Sequence, residues 1–221
     1  MIYCSHADLG GKPAAAIVPE PEGELFHASW ERRVLALTLA MGATGSWNID
    51  ASRAARETLP DYVELSYYAI WLNALEKLML ERGLVQADEL ALCRMIHPAL
   101  PVARVLKADA VAPALARGSP TVRVAHSAAR FEIGQAVRTR AASVGHHSRL
   151  PNYVRGKNGV IERIHGCHVF AESQAQGFGE QPQWLYTVVF DRSEVWGAGE
   201  CNESNPLTLS IDAWESTLEP A

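Results

Sequence analysis

The sequence has few cysteines, and their spacing provides no local metal site. Only four occur among 221 residues, and no two of them lie two or three positions apart, as paired thiolate ligands usually do. They are Cys4, Cys93, Cys167 and Cys201. Cys167 and His168 are neighbours, and neighbours on a strand point to opposite faces, so we do not expect them to bind one metal ion. The chain itself is therefore expected to hold no metal.

The sequence also lacks a long apolar run and an N-terminal segment that joins positive charge to an apolar stretch. No apolar run approaches the ~20 residues that a membrane-spanning helix needs, so a membrane is not an expected partner. Because no secretion signal is recognisable, the reducing cytoplasm is the default expectation.

Positive charge is not in excess. The 20 Lys and Arg are outnumbered by 25 Asp and Glu, which gives a net charge of −5. Proteins that bind nucleic acid neutralise its phosphates with Lys and Arg, so nucleic acid is not an expected partner. Hydrophobic residues make up 48% of the chain and charged residues 20%, as in ordinary globular proteins. The length allows one large or two small domains.

The first 27 residues contain glycines and prolines and show neither helical nor strand periodicity. A segment of this length without regular structure is uncommon in a compact domain. It nevertheless contains many large apolar residues, among them Ile2, Tyr3, Leu9, Ile17, Val18, Leu25 and Phe26. We therefore predict that residues 1–27 form an extended arm that wraps a partner subunit, which is a first indication of an obligate complex.

Helical spacing over residues 28–97 predicts a small helical domain. The predicted helices run from Ser29 to Gly42 or Gly45, from Asp50 to Leu59, from Val63 to Arg82, and from Gln86 or Asp88 to Met95. Ser29 and Asp50 are predicted caps because their side-chain oxygens can accept the free N–H groups of a first helical turn. Gly83 is the predicted stop of the third helix.

The composition changes after residue 97. Residues 98–129 are rich in Ala, Pro and Val and predict a linker with one helical turn near Ala110–Arg117. Residues 130–221 contain short runs of strand character separated by glycine and proline, with a helical turn at Ser193–Trp196. The clearest strands are Gln135–Arg140, Gly159–Ile164, Trp184–Phe190 and Leu207–Ile211. This pattern favours a small, curved antiparallel β-barrel, so the predicted fold class is α+β.

The segment Gly145–Lys157 combines histidines, arginines and a proline immediately before a clear strand. Pro151 fixes one backbone dihedral, so the segment is predicted to be a rigid loop that enters the sheet. A rigid loop with Arg149 and Arg155 can direct planar, bidentate donors at an oxyanion. The simpler alternative is that both arginines pair with carboxylates nearby in this chain.

Both halves of the chain contain short motifs that follow one another in a fixed order, although no single motif is specific for one protein family. In the first half they are His6-Ala-Asp-Leu-Gly-Gly11, Phe26-His-Ala-Ser-Trp-Glu31, Trp47-Asn-Ile-Asp50, Ser66-Tyr-Tyr-Ala-Ile-Trp71 and Glu81-Arg-Gly-Leu-Val85. In the second half they are Gly145-His146, Arg149 with Tyr153-Val-Arg-Gly156, Gly177-Phe-Gly-Glu180, Leu185-Tyr-Thr-Val188 and Glu194-Val-Trp-Gly197. In order and spacing, the set resembles the β subunit of nitrile hydratases over nearly the full chain.

This resemblance implies one subunit of an enzyme that hydrates a nitrile to the amide. In that family, low-spin cobalt(III) or iron(III) is held by a Cys-x-x-Cys-Ser-Cys stretch of a sister α subunit, in which two cysteines are oxidised to sulfenic and sulfinic acids. The resemblance further implies an obligate α subunit, assembly into (αβ)₂, an activator that delivers metal during maturation, and an SH3-like form of the C-terminal barrel.

The resemblance also implies that Arg53 and Arg149 bond the oxidised cysteine oxygens. A guanidinium stays charged and presents such anionic acceptors with donors in a fixed geometry. For Arg53 the alternative is an ordinary solvated helix arginine. For Arg149 it is a shift of register that gives the role to Arg155, because one residue is inserted after His146 relative to the family spacing.

Five further residues match family positions that line the nitrile pocket. They are Ile49, Ser52, Tyr67, Tyr68 and Trp71. Tyr67 and Trp71 lie four residues apart and share a helix face, whereas Tyr68 lies on the stripe with Leu72 and is expected in the core. Simple helix packing is the alternative role for each aromatic residue. The loop histidines His146 and His147 are expected to form hydrogen bonds rather than to bind metal.

Three other functions compete with this interpretation. Thiocyanate hydrolase is a related cobalt enzyme whose β-like part is divided over two shorter chains, whereas here one chain holds both halves. A metal-delivering activator resembles only the N-terminal half, and the strands after residue 130 argue against it. The third alternative is a barrel that binds a small ligand or a protein, and it predicts a stable monomer.

Overall fold

The computed structural model describes residues 5–10, 16–197 and 207–221 and shows an α+β protein. Two compact units can be distinguished. Among the described residues, the helical unit contains 5–7 and 16–118, and the sheet unit contains 8–10, 119–197 and 207–221. Within these ranges, no helix is both long and apolar enough to span a membrane.

Four helices make up most of the helical unit, and the two central ones share its core. They are α1 (Glu31–Ala43), α2 (Ile49–Glu57), α3 (Tyr67–Glu81) and α4 (Ala87–Leu92). The buried cluster consists of Trp47, Ala51, Ala55, Leu59, Ala74, Leu75 and Leu78. Ala51 and Ala55 are one helical turn apart and therefore present one small-residue face of α2 to α3. This packing fixes the side chains that flank the α2–α3 contact.

The first helix starts where the sequence predicts, but its cap is different. Trp30 rather than Ser29 occupies the N-cap position, and its side chain makes no capping hydrogen bond. The buried carboxylate of Glu31 instead accepts the backbone N–H groups of His27 at 2.6 Å and Ala28 at 3.3 Å. An acidic side chain in the first turn is thus used as the cap that a preceding serine was expected to provide.

The predicted cap of α2 is wrong by two residues. Asn48 is the N-cap, and its side chain accepts the backbone N–H of Ala51 at 2.8 Å. Asp50 lies in the first helical turn, where its negative charge suits the positive helix end. The helix ends at Glu57 rather than at Leu59.

Helices α3 and α4 are shorter than predicted. α3 begins at Tyr67 instead of Val63, because residues 63–66 form a turn that ends in the extended N-cap Ser66. Gly83 follows the end of α3 with a positive φ of +66°, as the predicted stop requires. α4 ends at Leu92 rather than Met95 because Cys93 adopts a left-handed conformation. Its predicted start is confirmed, since Gln86 forms a capping box with Glu89.

Residues 98–129 contain more regular structure than a plain linker. Helix α5 (Val111–Arg117) follows one 3₁₀ turn at Ala108–Ala110, which confirms the predicted helical turn. The short strand β1 (Val122–Arg123), which was not predicted, pairs with the end of a later strand. Two residues carry too little periodicity to identify a strand from sequence.

All strand pairings in the sheet unit are antiparallel. The strands are β1, β2 (Ala136–Thr139), β3 (Asn158–His168), β4 (Gln183–Asp191), β5 (Thr208–Trp214) and β6 (Leu218–Pro220). Their order is β5-β4-β3-β2-β6, and β1 pairs with β3 beyond this path. The four predicted strands and the helical turn α7 (Arg192–Trp196) are present. The short helix α6 (Ala171–Ala175) and strand β6 were not predicted.

The core of the sheet unit lies on one face of these strands. On β4 the inward residues alternate, so Tyr186, Val188 and Phe190 are fully buried. They pack with Phe131, Val137, Ile161 and Leu218. Strand β3 shifts register twice along β4, which bends the sheet around this core. In the described part of the chain no pairing joins β5 to β6, so the sheet is open.

Candidate functional site

Arg53 is held on α2 by a carboxylate one turn earlier. Its Nη1 lies 3.3 Å from Oδ1 of Asp50. The Asp50 side chain is 9% exposed and that of Arg53 is 41% exposed, so the ion pair has one buried and one accessible partner. This contact uses one edge of the guanidinium and leaves other donors of the fork available to an acceptor outside the chain.

Arg56 occupies the next turn of α2 and was not predicted as a site residue. Its Nε donates to the backbone oxygen of Ser52 at 3.1 Å, and its Nη2 donates to Ser52 Oγ at 3.2 Å. The guanidinium carbon lies 4.4 Å from the ring centre of Trp71 on α3. Burial lowers the pKa of Arg56, and the positive charge of Arg53 lowers it further.

Four aromatic rings of the helical unit form a continuous group, which we call the aromatic row. It consists of Phe26, Tyr68, Tyr67 and Trp71. Ring centres lie 5.4 Å apart for Phe26 and Tyr68, 5.2 Å for Tyr68 and Tyr67, and 5.6 Å for Tyr67 and Trp71. Arg32 lies over Phe26, and Arg56 lies over Trp71, so a guanidinium covers each end of the row.

The expected core position of Tyr68 is not observed. Tyr68 is half-buried and contacts both Tyr67 and Trp71, so all three rings meet although they belong to one helix. Tyr67 is the most open of them, with 63% of its surface exposed. An exposed tyrosine next to half-buried rings gives this face of α3 an apolar wall with a hydroxyl at its edge.

The other two predicted pocket residues lie on α2. Ile49, in the first turn, is 53% exposed and therefore accessible from outside the chain. Ser52 is buried, and its hydroxyl is one of the acceptors of Arg56. The structure thus connects Ser52, through Arg56, to the three aromatic residues of α3, whereas Arg53 contacts Asp50 on α2.

In the sheet unit, Arg155 supports the loop 145–157 from inside. Its guanidinium donates to Ala142 O at 2.8 Å, Ser148 Oγ at 3.0 Å, Leu150 O at 3.1 Å and Asn152 Oδ1 at 3.2 Å. Four acceptors of one local segment therefore surround this side chain. An arginine with its donors so engaged has little capacity left for an oxyanion elsewhere.

Arg149 lies in the same loop and is exposed, whereas its neighbour Leu150 is buried. Ser148 fixes the chain on the other side of Arg149, since its hydroxyl donates to the buried carboxylate of Glu172 at 2.6 Å. Anchors on both sides hold the backbone of Arg149, and the residue itself is exposed. This geometry supports Arg149 rather than Arg155 as the residue that reaches an external anion.

The histidines of the sheet unit interact with neighbouring polar groups. His165 Nε2 lies 2.7 Å from Thr187 Oγ1, and His168 Nδ1 lies 3.0 Å from Thr121 Oγ1. His146 Nδ1 lies 2.9 Å from the backbone oxygen of His147. Among residues 5–10, 16–197 and 207–221, no group of three or more His, Cys, Asp or Glu side chains is placed to hold a metal ion.

Comparison with known proteins gives matches along both units. Two family models match: the N-terminal part of the nitrile hydratase beta subunit over residues 4–112 and its C-terminal part over residues 120–220. The low-molecular weight cobalt-containing nitrile hydratase subunit beta of Rhodococcus rhodochrous is 35% identical over 97% of this chain and 98% of that protein. The chain belongs to the nitrile hydratase β-subunit family. The nitrile hydratase subunit beta of Pseudomonas putida is 32% identical over 97% of this chain and 98% of its own length.

A more distant likeness reaches beyond the nitrile hydratase β subunits. The alpha subunit of thiocyanate hydrolase from Thiobacillus thioparus is 30% identical over 42% of this chain and 72% of that protein. A solved structure of the recombinant apo-enzyme from the same organism covers 42% of this chain and 78% of its own, with 29% identity and a TM-score of 0.40. The two nitrile hydratase β subunits therefore match almost the whole chain, and the thiocyanate hydrolase subunit matches less than half of it.

Arg56 is the residue of this site that the sequence interpretation missed. The spacing of four residues between Ser52 and Arg56 was a usable signal, because such pairs are neighbours on a helix. The contact with Trp71 had no comparable signal, since it depends on how α2 packs against α3.

Proposed function

We propose that this chain is the β subunit of a nitrile hydratase, active as a complex with an α subunit and adding water across a nitrile to form the amide. The observation that carries the proposal is the likeness to nitrile hydratase β subunits along almost the whole chain, as in the Rhodococcus rhodochrous protein with 35% identity over 97% of this chain. A barrel that binds a ligand by itself gives no reason for that likeness to extend through both units.

Cobalt is the proposed metal, because the Rhodococcus rhodochrous relative is named as cobalt-containing. The described residues of this chain include no cluster of metal ligands, so the proposal places the ion on the α subunit. When bound there, the metal supplies Lewis acidity for the addition of water. The contribution of this chain is then to bind the partner, to shape the cavity and to place positive charge.

Arg53 and Arg149 are the proposed catalytic residues, each bonding oxygen atoms of oxidised cysteines on the α subunit. Both are exposed enough to reach a partner, and both are held by neighbours: Arg53 by Asp50, and the backbone of Arg149 by Ser148. An anionic oxygen in a closed cavity is costly without a cationic donor, so each guanidinium stabilises the charge and limits its movement.

The nitrile pocket is proposed to be lined by Ile49, Ser52, Tyr67, Tyr68 and Trp71. In support, Ile49 and Tyr67 expose 53% and 63% of their surface, so both are accessible to a ligand or a partner. The half-buried rings of Tyr68 and Trp71 provide an apolar wall for the organic part of a nitrile.

The finer architecture is part of the proposal. The open sheet is proposed to be an SH3-like barrel, supported by its two register shifts and its single inward core. The proposed domains are the arm 1–27, a helical domain 28–97, a linker 98–129 and the barrel 130–221. Residues Ile17, Val18 and Leu25 of the arm are highly exposed, which supports its burial against the α subunit in an (αβ)₂ assembly.

Thiocyanate hydrolase is the second candidate, favoured by the match of its alpha subunit to 42% of this chain. The two candidates differ in product, because thiocyanate hydrolase acts on thiocyanate whereas a nitrile hydratase releases the amide of its substrate. One complex assayed with both substrates therefore distinguishes them.

The deciding experiment is co-expression of this chain with an α subunit and its activator, followed by size exclusion, metal analysis and an amide-formation assay. The expected result is a co-eluting complex with about one cobalt per αβ pair, as a single metal site requires. A metal-free monomer of this chain, together with an α subunit that is fully active alone, would refute the subunit assignment.

Variants of the two arginines then test their roles. Arg53→Lys and Arg149→Lys keep the charge but lose the planar fork, and each is expected to lower kcat/KM by roughly 30-fold or more, equivalent to about 2–5 kcal/mol. Arg163→Lys is a matched control, because Arg163 is an exposed strand arginine for which no site role is proposed. Equal activity of the Arg53, Arg149 and control variants would contradict the catalytic roles.

A further inference from the structure

The position of Arg56 is set by two neighbours at once. Its Nε and Nη2 are directed to the oxygen atoms of Ser52, on its own helix, at 3.1 and 3.2 Å. Its guanidinium carbon lies 4.4 Å from the ring centre of Trp71, on the next helix. The edge of the planar group is thus used for hydrogen bonds, while Trp71 interacts with the group as a cation–π partner.

These contacts link two residues of the proposed pocket. Ser52 lies on α2 and Trp71 on α3, and Arg56 is the side chain that the structure shows in contact with both. A tryptophan at a half-buried helix surface has free space on its solvent side, so its ring orientation depends on what covers it. Arg56 covers this ring, and the centre of the neighbouring Tyr67 ring lies 5.6 Å from that of Trp71.

The charge of Arg56 is unfavourable for the stability of α2 in two ways. Arg53 and Arg56 are both cationic and lie three residues apart, where like charges on a helix repel. Burial penalises the Arg56 charge as well, in agreement with its lowered pKa. An apolar side chain at this position could cover Trp71 without either penalty, so the hydrogen-bonding fork is the property that arginine adds.

We propose that Arg56 is a positioning residue that fixes the ring of Trp71 against Ser52 and thereby sets which nitriles the pocket accepts. This inference rests on the proposed function, since it takes the aromatic wall as part of the nitrile site. Arg56 does not touch the reacting atoms; it acts through Trp71. A bulky aromatic nitrile reaches the wall and requires it to be fixed, whereas a two-carbon nitrile is too small to depend on it.

The test uses the metal-loaded αβ complex with benzonitrile and acetonitrile as the two probes. Arg56→Met keeps the length and volume of the side chain but removes the fork and the charge, and Arg56→Lys retains the charge without the fork. For Arg56→Met, KM for benzonitrile is expected to rise about 3- to 30-fold, the range of one lost desolvated cation–π contact. Arg56→Lys loses the hydrogen bonds to Ser52 but can still place a charge at the Trp71 ring, so it is expected to raise KM for benzonitrile by a smaller factor. KM for acetonitrile and kcat for either nitrile are expected to change less than about 2-fold.

Arg82→Met is the matched control, because Arg82 is an exposed arginine that caps the far end of α3, the helix of Trp71. A double-mutant cycle with Trp71→Phe adds a readout of the contact itself. After Trp71→Phe, the further substitution Arg56→Met is expected to raise KM for benzonitrile less than it does alone, since the ring it held has been replaced.

The possible outcomes distinguish a failure of the positioning role from a failure of the proposed nitrile hydratase function. If the unmodified complex hydrates neither nitrile, the proposed function fails. If it is active and both Arg56 variants retain the KM values of the unmodified complex, the positioning role is refuted. If Arg56→Lys is normal while Arg56→Met loses kcat for both nitriles equally, Arg56 acts through its charge, and the positioning role is likewise refuted. Thermal melting and cobalt content of each variant identify any loss caused by misfolding, and Arg56→Lys remains the informative variant if Arg56→Met does not assemble.

Discussion

Arg155→Met is the substitution that best separates structural from catalytic arginines in the loop 145–157. The side chain donates four hydrogen bonds at 2.8–3.2 Å, three of them to the backbone or side chains of residues 142, 148 and 150 and one to Asn152. Methionine fills similar space but offers no donor, so all four acceptors return to water or remain unpaired.

The magnitude follows from the number of bonds and from their exposure. A hydrogen bond to a charged group contributes about 1.5–3 kcal/mol when buried. Arg155 is only half-buried, so water replaces much of each lost contact, and the two bonds to Ser148 and Leu150 are the better shielded ones. We expect Arg155→Met to lower the free energy of unfolding by roughly 2–3 kcal/mol, and Arg149→Met, at an exposed position, to lower it less before the partner binds.

Chemical denaturation of the β chain, monitored by tryptophan fluorescence, measures the first quantity, and limited proteolysis reports whether residues 141–151 open locally. Arg163→Met, an exposed arginine on β3, is the matched control. The activity of the assembled complex should show the reverse order, with Arg149→Met the more damaging change. Equal unfolding free energies for Arg155→Met and the control would refute the assignment of Arg155 as the internal support of the loop.

Three further predictions concern stability and reactivity. The hydrogen bond to Asp88 raises the pKa of His97. The stabilisation from this pair is therefore present below the ordinary histidine pKa and is lost as pH rises through the raised pKa of the folded state. His97→Gln should remove this pH dependence from melting temperatures measured between pH 5.5 and 8.5. Thr139→Val removes a fully buried hydroxyl that accepts a loop N–H and donates to a loop carbonyl, and should cost about 1–3 kcal/mol in denaturation, whereas Thr139→Ser should cost less. Burial raises the pKa of the Cys167 thiol, so peptide mapping after brief alkylation at pH 7.5 should find exposed Cys93 modified before Cys167; faster labelling of Cys167 would contradict its buried position.

Local signals predicted the elements of this fold well where one periodic pattern decided the structure. The apolar stripe of α3 and the β-branched run of β4 are recognisable in the sequence as a helix and a strand, because each element buries one face against a single core. The errors lie at the ends. Val63 and Met95 extend a helical pattern that the backbone does not continue, since Ser66 is extended and Cys93 is left-handed.

Elements that depend on distant partners could not be predicted in the same way. β1 and β6 contain two and three residues and exist because β3 and β2 provide their hydrogen-bond partners. Gly159 is a similar case, since an added Cβ would lie 2.7 Å from Val188 Cγ1 on the neighbouring strand. Its sequence neighbourhood indicates a strand, but only the pairing with β4 shows why glycine is needed there.

The same distinction applies to the candidate site. Arg53, Arg149 and the aromatic residues of α3 were found through motifs, and their roles stay predictions until they are tested. Arg56 stands outside those motifs, and its importance comes from the packing of α2 on α3, which brings Trp71 to its guanidinium. Sequence can show that a residue type is suitable for a role, whereas tertiary contact decides which of several similar residues is already engaged.

Tertiary contacts explain why four arginines of this chain have different proposed roles. Arg155 and Arg56 are directed inward, with donors engaged by their own units, and they hold a loop and a ring in place. Arg53, whose side chain is 41% exposed, and Arg149, which is an exposed residue, both lie beside residues that are themselves anchored. A cation presented from an anchored backbone loses less conformational freedom when it binds an anion than one on a mobile segment, so the same charge binds more tightly. Arg155 supports the loop that carries Arg149, so the charge that Arg149 is proposed to contribute is presented from an anchored backbone.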